Sequence, residues 1–226
     1  MMRVVVGGPE LDGLVIPEPA ASVRLLIPWS GEAFELPTWN GNEFLLADGR
    51  RPALRTFTPV SLAGEALTLD IVRHPGGEVS DWAETASVGD PCAISGPGRG
   101  ETIDDAAGRY VLAGDETAIP AIEQLLDAIP AGIEVEVHIE IAHPGARLEL
   151  DERPATTITW HDARDAEPPG ASLRRAVAST LIDDHTRVWV AGEAASVQAI
   201  RKHLFDERGV PRGHTTSRGY WKVPRT

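Results

Sequence analysis

The chain has 226 residues, of which 34 are Asp or Glu and 21 are Lys or Arg, giving a formal charge of −13. Such a charge repels nucleic acid and anionic membranes, and an apolar content of 42% is too high for a disordered chain. The single cysteine, Cys92, excludes an internal disulfide, a Cys-rich zinc site and an iron–sulfur cluster. No apolar run approaches the ~20 residues of a membrane span. The opening MMRVVVGGPE lacks the apolar core of a signal peptide. A cytoplasmic protein of one or two domains, with no stable membrane association, is therefore expected.

Up to about Asp105, short apolar runs alternate with Gly, Pro, Asn and Asp clusters. This rhythm predicts strands at 3–6, 23–28, 54–60, 67–73 and 91–95. In the fourth, Leu67, Leu69 and Ile71 share one face at the period of a half-buried strand. A short helix is predicted at 79–86. From Arg109 the rhythm changes. Strands are predicted at 109–114, 133–142, 156–160 and 187–192, with helices at 117–129, 172–182 and 195–209. Many short strands between turns imply a barrel or sandwich. Strands alternating with helices imply a parallel sheet. The expected fold is an N-terminal antiparallel β-barrel followed by a doubly wound parallel-sheet α/β domain. The expected domains are 1–106 and 107–226, with the boundary in GRGETIDDAAG.

Four constellations carry candidate chemistry. Arg55-Thr56-Phe57-Thr58 supplies a cation for pyrophosphate, an aromatic and a small hydroxyl. The same string also reads as an edge strand with one solvated Arg. His74-Pro75-Gly76-Gly77-Glu78-Val79-Ser80-Asp81-Trp82 ends a strand, turns on a Gly pair and opens a helix whose free amides suit a phosphate. Ser80 reads equally as a helix cap, and Glu78 is unwelcome beside a phosphate. Gly114-Asp115-Glu116-Thr117 follows a strand at the carboxyl edge of the sheet, where α/β proteins bind ligands. The acids there also read as a helix cap. Gly192-Glu193 ends a later strand, and Tyr220, Trp221 and Lys222 close the chain. These three either line a pocket or close a core. The seven His form no HxxxH or HxH pair, and no GxSxG turn occurs, so no metalloenzyme or hydrolase pattern competes.

Taken in order, the strings resemble the siderophore-interacting protein family of flavin-dependent ferric-siderophore reductases. The layout matches flavin reductases of the ferredoxin-reductase type. RVVVGGPELDGL, RPALRTFTPV, HPGGEVSDWAETASVGDPCAISGPGRG, LAGDETAIPAI and WVAGEAASVQAIRKHLFDERGVPR with GYWK are each similar to a family signature, and they run almost end to end. Two departures matter for the cofactor. Phe57 stands where the family usually has Tyr, and Glu78-Val79 replaces Pro-Ala.

The resemblance implies FAD in the barrel domain and a nicotinamide dinucleotide, NADPH or NADH, on the second domain. By that carry-over Arg55 pairs with the FAD pyrophosphate and Phe57 lies beside the flavin. Thr58 sits near flavin N5, and His74, Gly77, Val79 and Ser80 surround the phosphates. Asp115, Glu116 and Thr117 border the nicotinamide pocket, Gly192 and Glu193 the nucleotide cleft. Lys222 steers an anionic ferric siderophore. No residue is expected to ligate a metal. Glu140, near the end of the second strand of the nucleotide domain, is positioned for a ribose hydroxyl, and Arg147 for a 2′-phosphate. The alternatives are a non-catalytic ferric-siderophore or flavin-binding module and a general NAD(P)H:flavin reductase.

Overall fold

The computed structural model describes residues 1–151 and 153–224. The chain divides into two compact units, Met1–Glu101 and Thr102 onward.

The first unit contains β1 (Met2–Gly7), β2 (Val23–Ile27), β3 (Thr38–Trp39), β4 (Phe44–Leu45), β5 (Ala53–Phe57), β6 (Ser61–Ala63), β7 (Ala66–Ile71), α1 (Glu78–Thr85) and β8 (Ala93–Ser95). All its strand pairs are antiparallel, in sheets ordered β1-β7-β6 and β5-β2-β8 with a small β3-β4 hairpin. The alternation expected in β7 is present. Leu67, Leu69 and Ile71 are buried while the residues between them are half-exposed. They share one core with Val23, Leu25 and Ile27 of β2, Ala53 of β5 and Val79 of α1. The two three-stranded sheets therefore close over a common apolar interior. β5 stops at Phe57 rather than running to Val60, because Pro59 cannot donate to a ladder.

The second unit holds β9 (Arg109–Asp115), α2 (Ile119–Ala128), β10 (Glu134–Ile141), β11 (Thr156–Asp162), α3 (Ala171–Ser179), β12 (Thr186–Glu193), α4 (Ala194–Lys202) and β13 (Thr215–Trp221). Its five strands are all parallel, in the order β11-β10-β9-β12-β13. Chain order runs outward from β9 to β11 and then returns across β9 to β12. The order thus reverses at β9, and the carboxyl ends of β9 and β12 flank that switch point. β9 and β12 read as apolar runs because both faces are covered. Val111, Leu112 and Ala113 are fully buried.

The short strands β3, β4 and β6 of the first unit have no counterpart among the predicted elements, and two elements of the second unit also differ from expectation. The helix expected at 195–209 is α-helical only to Lys202, and His203–Glu207 forms a π-turn with Leu204 buried beneath it. The fifth strand, β13, has no counterpart among the predicted elements. It lies at the sheet edge beside β12 and carries a register irregularity opposite Gly192 and Glu193.

Candidate functional site

In the first unit the candidates come from β5 and the start of α1, which packs against β5. Arg55 is exposed, and its Nη1 donates to the neighbouring Leu54 carbonyl at 2.7 Å. The rest of its planar fork of donors faces solvent, the state required of a phosphate-pairing cation. Phe57, on the same strand face, is half-buried and packs against the barrel core together with Val79. Thr58, just past the strand, is buried.

The turn into α1 is held by its own side chains. The His74 backbone amide donates to Ser80 Oγ at 3.1 Å, and Ser80 is buried. Gly77 is the N-cap of α1 with no side-chain cap. A Cβ there would fall 2.2 Å from the exposed His74 ring, so the absence of a side chain lets the imidazole lie over the helix start. The first-turn amides of α1 lack intrahelical acceptors by construction. An exposed guanidinium and an uncapped helix start on adjoining elements suit a pyrophosphate. Glu78, half-exposed on the first turn, opposes that charge. These residues fit a dinucleotide such as FAD with one electrostatic disadvantage.

In the second unit the candidates converge on Asp115, at the carboxyl end of β9. The side chain is buried and accepts four bonds. Oδ1 takes the Thr117 amide at 3.0 Å and the Thr117 hydroxyl at 2.5 Å. Oδ2 takes the Glu193 amide at 3.0 Å and the Trp221 indole Nε1 at 2.7 Å. Burial raises the Asp115 pKa, and the bonds from Thr117, Trp221 and Glu193 pull against that rise. Asp115 thus caps the 3₁₀ turn that leads into α2 and ties together the ends of β9, β12 and β13. Gly192 is required for this closure. Its φ is 143°, a region that side chains rarely adopt, and a Cβ would lie 2.5 Å from Asp115 Oδ2. Burial also raises the pKa of half-buried Glu116. Glu193 is buried and caps α4 through the Ser196 amide at 2.8 Å.

Glu140 corrects an expectation. It is buried, and its carboxylate receives the amides of Gly170 at 2.5 Å, Ser172 at 2.8 Å and Leu173 at 3.3 Å. It is the anion that satisfies the start of α3, and both oxygens are committed to the protein's own backbone rather than to a ribose. Arg147 is exposed and stacks on Trp160, with its guanidinium carbon 5.4 Å from the ring centroid. Lys222 is exposed just beyond β13.

A polar cluster that sequence reasoning missed lies around β10. His138 is buried and reaches Thr180 Oγ1 at 3.0 Å, Glu136 Oε1 at 2.9 Å and His161 at 3.2 Å. The only signal was a set of polar residues, Glu136, His138 and Glu140, on one face of an otherwise apolar strand.

Comparison with known proteins agrees with this architecture. Residues 1–101 match the siderophore-interacting FAD-binding domain model. Residues 107–223 match the siderophore-interacting protein model. A siderophore utilization protein from T. fusca is 33% identical, with a TM-score of 0.84 over 99% of this chain and 87% of that one. The ferric vibriobactin reductase ViuB of Vibrio cholerae is 26% identical over 98% of this chain and 84% of its own length. A ferredoxin reductase of a carbazole 1,9a-dioxygenase shares the fold alone, at 17% identity and a TM-score of 0.64 over 90% of this chain and 61% of that one. No helix among the described residues is long and apolar enough to cross a membrane.

Proposed function

Because the chain belongs to the siderophore-interacting protein family, we propose that it is an NAD(P)H-dependent reductase that passes electrons through FAD to a ferric siderophore. The observation that carries this reading is the match of residues 1–101 to a siderophore-interacting FAD-binding domain. Similarity to a ferric vibriobactin reductase along nearly the whole chain supports it. One NAD(P)H supplies two electrons, so two Fe(III) chelates become two Fe(II) chelates and one proton is released. Hard oxygen donors hold Fe(III) more tightly than Fe(II), so reduction loosens the metal. FAD, when bound, accepts the electron pair and passes it on singly.

In this reading residues 1–106 bind FAD and residues 107–226 bind the nicotinamide dinucleotide. Arg55 neutralises the FAD pyrophosphate. The amides of Gly77 and Val79 and the hydroxyl of Ser80 orient the phosphates, beside the His74 imidazole. Phe57 and Thr58 flank the flavin. Asp115, Glu116 and Thr117 border the nicotinamide, and Gly192 and Glu193 the nucleotide cleft. Lys222 steers an anionic chelate through a local field on an otherwise acidic protein. NAD(P)H as reductant makes the cytoplasm the proposed compartment.

The test is stopped-flow absorbance of the flavin-loaded protein. Bleaching by NADPH or NADH followed by reoxidation on adding a ferric siderophore is expected. Binding of the chelate without bleaching would leave a non-catalytic module. Turnover with free flavin and no response to chelate would indicate a general flavin reductase. Lys222→Glu should slow reoxidation by an anionic chelate, less so at high salt.

A further inference from the structure

Trp221 stands at a point that the chain distorts itself to build. Along β12 and β13 the pairing is regular from Val188–Thr215 to Gly192–Gly219, and then Glu193 pairs with Trp221. Tyr220 is the extra residue of this bulge. Bulges kink a strand and re-aim the side chains that follow. Here Tyr220 meets Trp189 edge-on at 6.5 Å, and Trp221 is brought to the carboxyl end of β9. Its indole nitrogen is held by Asp115 Oδ2 at 2.7 Å. The same oxygen needs Gly192 to lack a side chain. A buried carboxylate, a glycine of positive φ and a strand bulge thus serve one indole, yet Trp221 as a residue is 39% exposed. An indole recruited only to close a core would be covered. This residue is fixed at its indole nitrogen and still more than a third exposed, beside the switch point where parallel sheets bind nucleotides.

We propose that Trp221 is the stacking platform for the nicotinamide ring of the electron donor, and that Asp115 is its positioning residue. The inference rests on the reductase reading above and adds the group that receives the ring. An electron-rich indole stacks well on an electron-poor nicotinamide, and holding the ring rigid before binding lowers the entropy cost of the stack. Adenine is the competing occupant, and it can be separated experimentally.

The experiment is a titration of tryptophan fluorescence in the flavin-loaded protein with NADP⁺, NAD⁺ and ADP-ribose. With one of the oxidised dinucleotides, saturable quenching is expected in the wild type. ADP-ribose, which lacks nicotinamide, should bind with much less quenching. Trp221→Phe should lose that quenching and bind the same dinucleotide more weakly, while Trp221→Leu should bind roughly tenfold more weakly, the scale of one lost aromatic stack. Asp115→Asn keeps the indole but turns an amide N–H₂ toward one pair of donors. It should raise KM for NADPH or NADH more than it lowers kcat, and reduce the quenching amplitude. A purely structural tie would lower the melting temperature and leave quenching and affinity of the folded protein unchanged. That result in Trp221→Phe would overturn the proposal while leaving the reductase reading intact. Equal quenching by ADP-ribose would overturn it in favour of adenine. A wild-type protein that binds neither dinucleotide would overturn both the proposal and the reading beneath it.

Discussion

The two units treat their polar side chains in opposite ways. In the first, the cationic and imidazole groups near β5 and α1 are open, although Thr58 and Ser80 are buried. Arg55 and His74 face solvent, and the α1 start has no side-chain cap. In the second, the acids Asp115, Glu140 and Glu193 at the strand ends are buried and hydrogen-bonded. Asp115 accepts four bonds, Glu140 three and Glu193 one. Open donors cost nothing while they remain hydrated and gain when an anion arrives. Buried acids would cost heavily if their partners were removed. Substitutions at the open groups of the first unit should therefore appear in ligand affinity alone, while those at the buried acids of the second should also lower stability.

The largest expected effect is at Gly192→Ala. A methyl group 2.5 Å from Asp115 Oδ2, on a backbone with φ of 143°, adds strain and overpacking together. A loss of about 3 kcal/mol is expected, read by urea unfolding. A loss below ~1 kcal/mol would mean that the strand ends can relax, and the contrast between the units would weaken.

Arg55→Ala should show the opposite signature. Removing a charge-assisted phosphate contact costs about 1.5–3 kcal/mol of binding, or roughly tenfold or more in FAD affinity. Unfolding stability should change by no more than ~0.5 kcal/mol, because the side chain is exposed. Unchanged affinity in a flavin titration would remove Arg55 from the site.

A third test uses pH. Burial lowers the pKa of His138. Nearby Arg109 also lowers it, while Glu136 raises it. Burial and the neighbouring His138 lower His161, while Glu140 and Asp162 raise it and Arg175 lowers it. A His with a lowered folded pKa binds its proton more readily when the chain is unfolded. Stability from these groups is therefore present above the ordinary His value of 6.5 and is lost as pH falls from there through the folded values. His138→Asn should flatten the slope of unfolding free energy against pH in that window. An equal slope in both proteins would assign the acid sensitivity elsewhere.

The same contrast explains what could be read from the sequence. β7 was legible because its own residues alternate, β10 because Val135, Val137, Ile139 and Ile141 alternate with polar residues, and the run around Val111 because a doubly covered strand is apolar throughout. β13, TTSRGYW, carries no apolar alternation. It is a strand because β12 offers it a ladder at the sheet edge, and that information lies elsewhere in the chain. Glu140 was found at the right strand end, but its partners Gly170, Ser172 and Leu173 lie 30 to 33 residues later. Its role as a helix-start anion follows only from the crossover. The Arg55 string is local, so its pattern survives intact, whereas the convergence of Asp115, Gly192 and Trp221 spans more than a hundred residues.

The smallest expected effect, and the finest probe of the first unit, is Phe57→Tyr. The substitution adds one hydroxyl at the tip of a half-buried ring that leans on the barrel core. Two surroundings for that tip are possible, and they predict different outcomes. If the tip emerges at the surface beside Arg55, the hydroxyl stays hydrated in the free protein. It then gains a bond when flavin binds, and affinity is unchanged or rises by a net hydrogen bond of about 1 kcal/mol. If the tip points into the core with Val79, a buried unpaired hydroxyl costs about 1–3 kcal/mol. Unfolding stability then falls whether or not flavin is present. Arg55 shares the strand face of Phe57 and is exposed, so the first outcome is expected. Urea unfolding of the flavin-free variant, followed by a flavin titration, separates the two. A stable variant that has lost flavin would show that the ring lies against the cofactor with no room for an added atom.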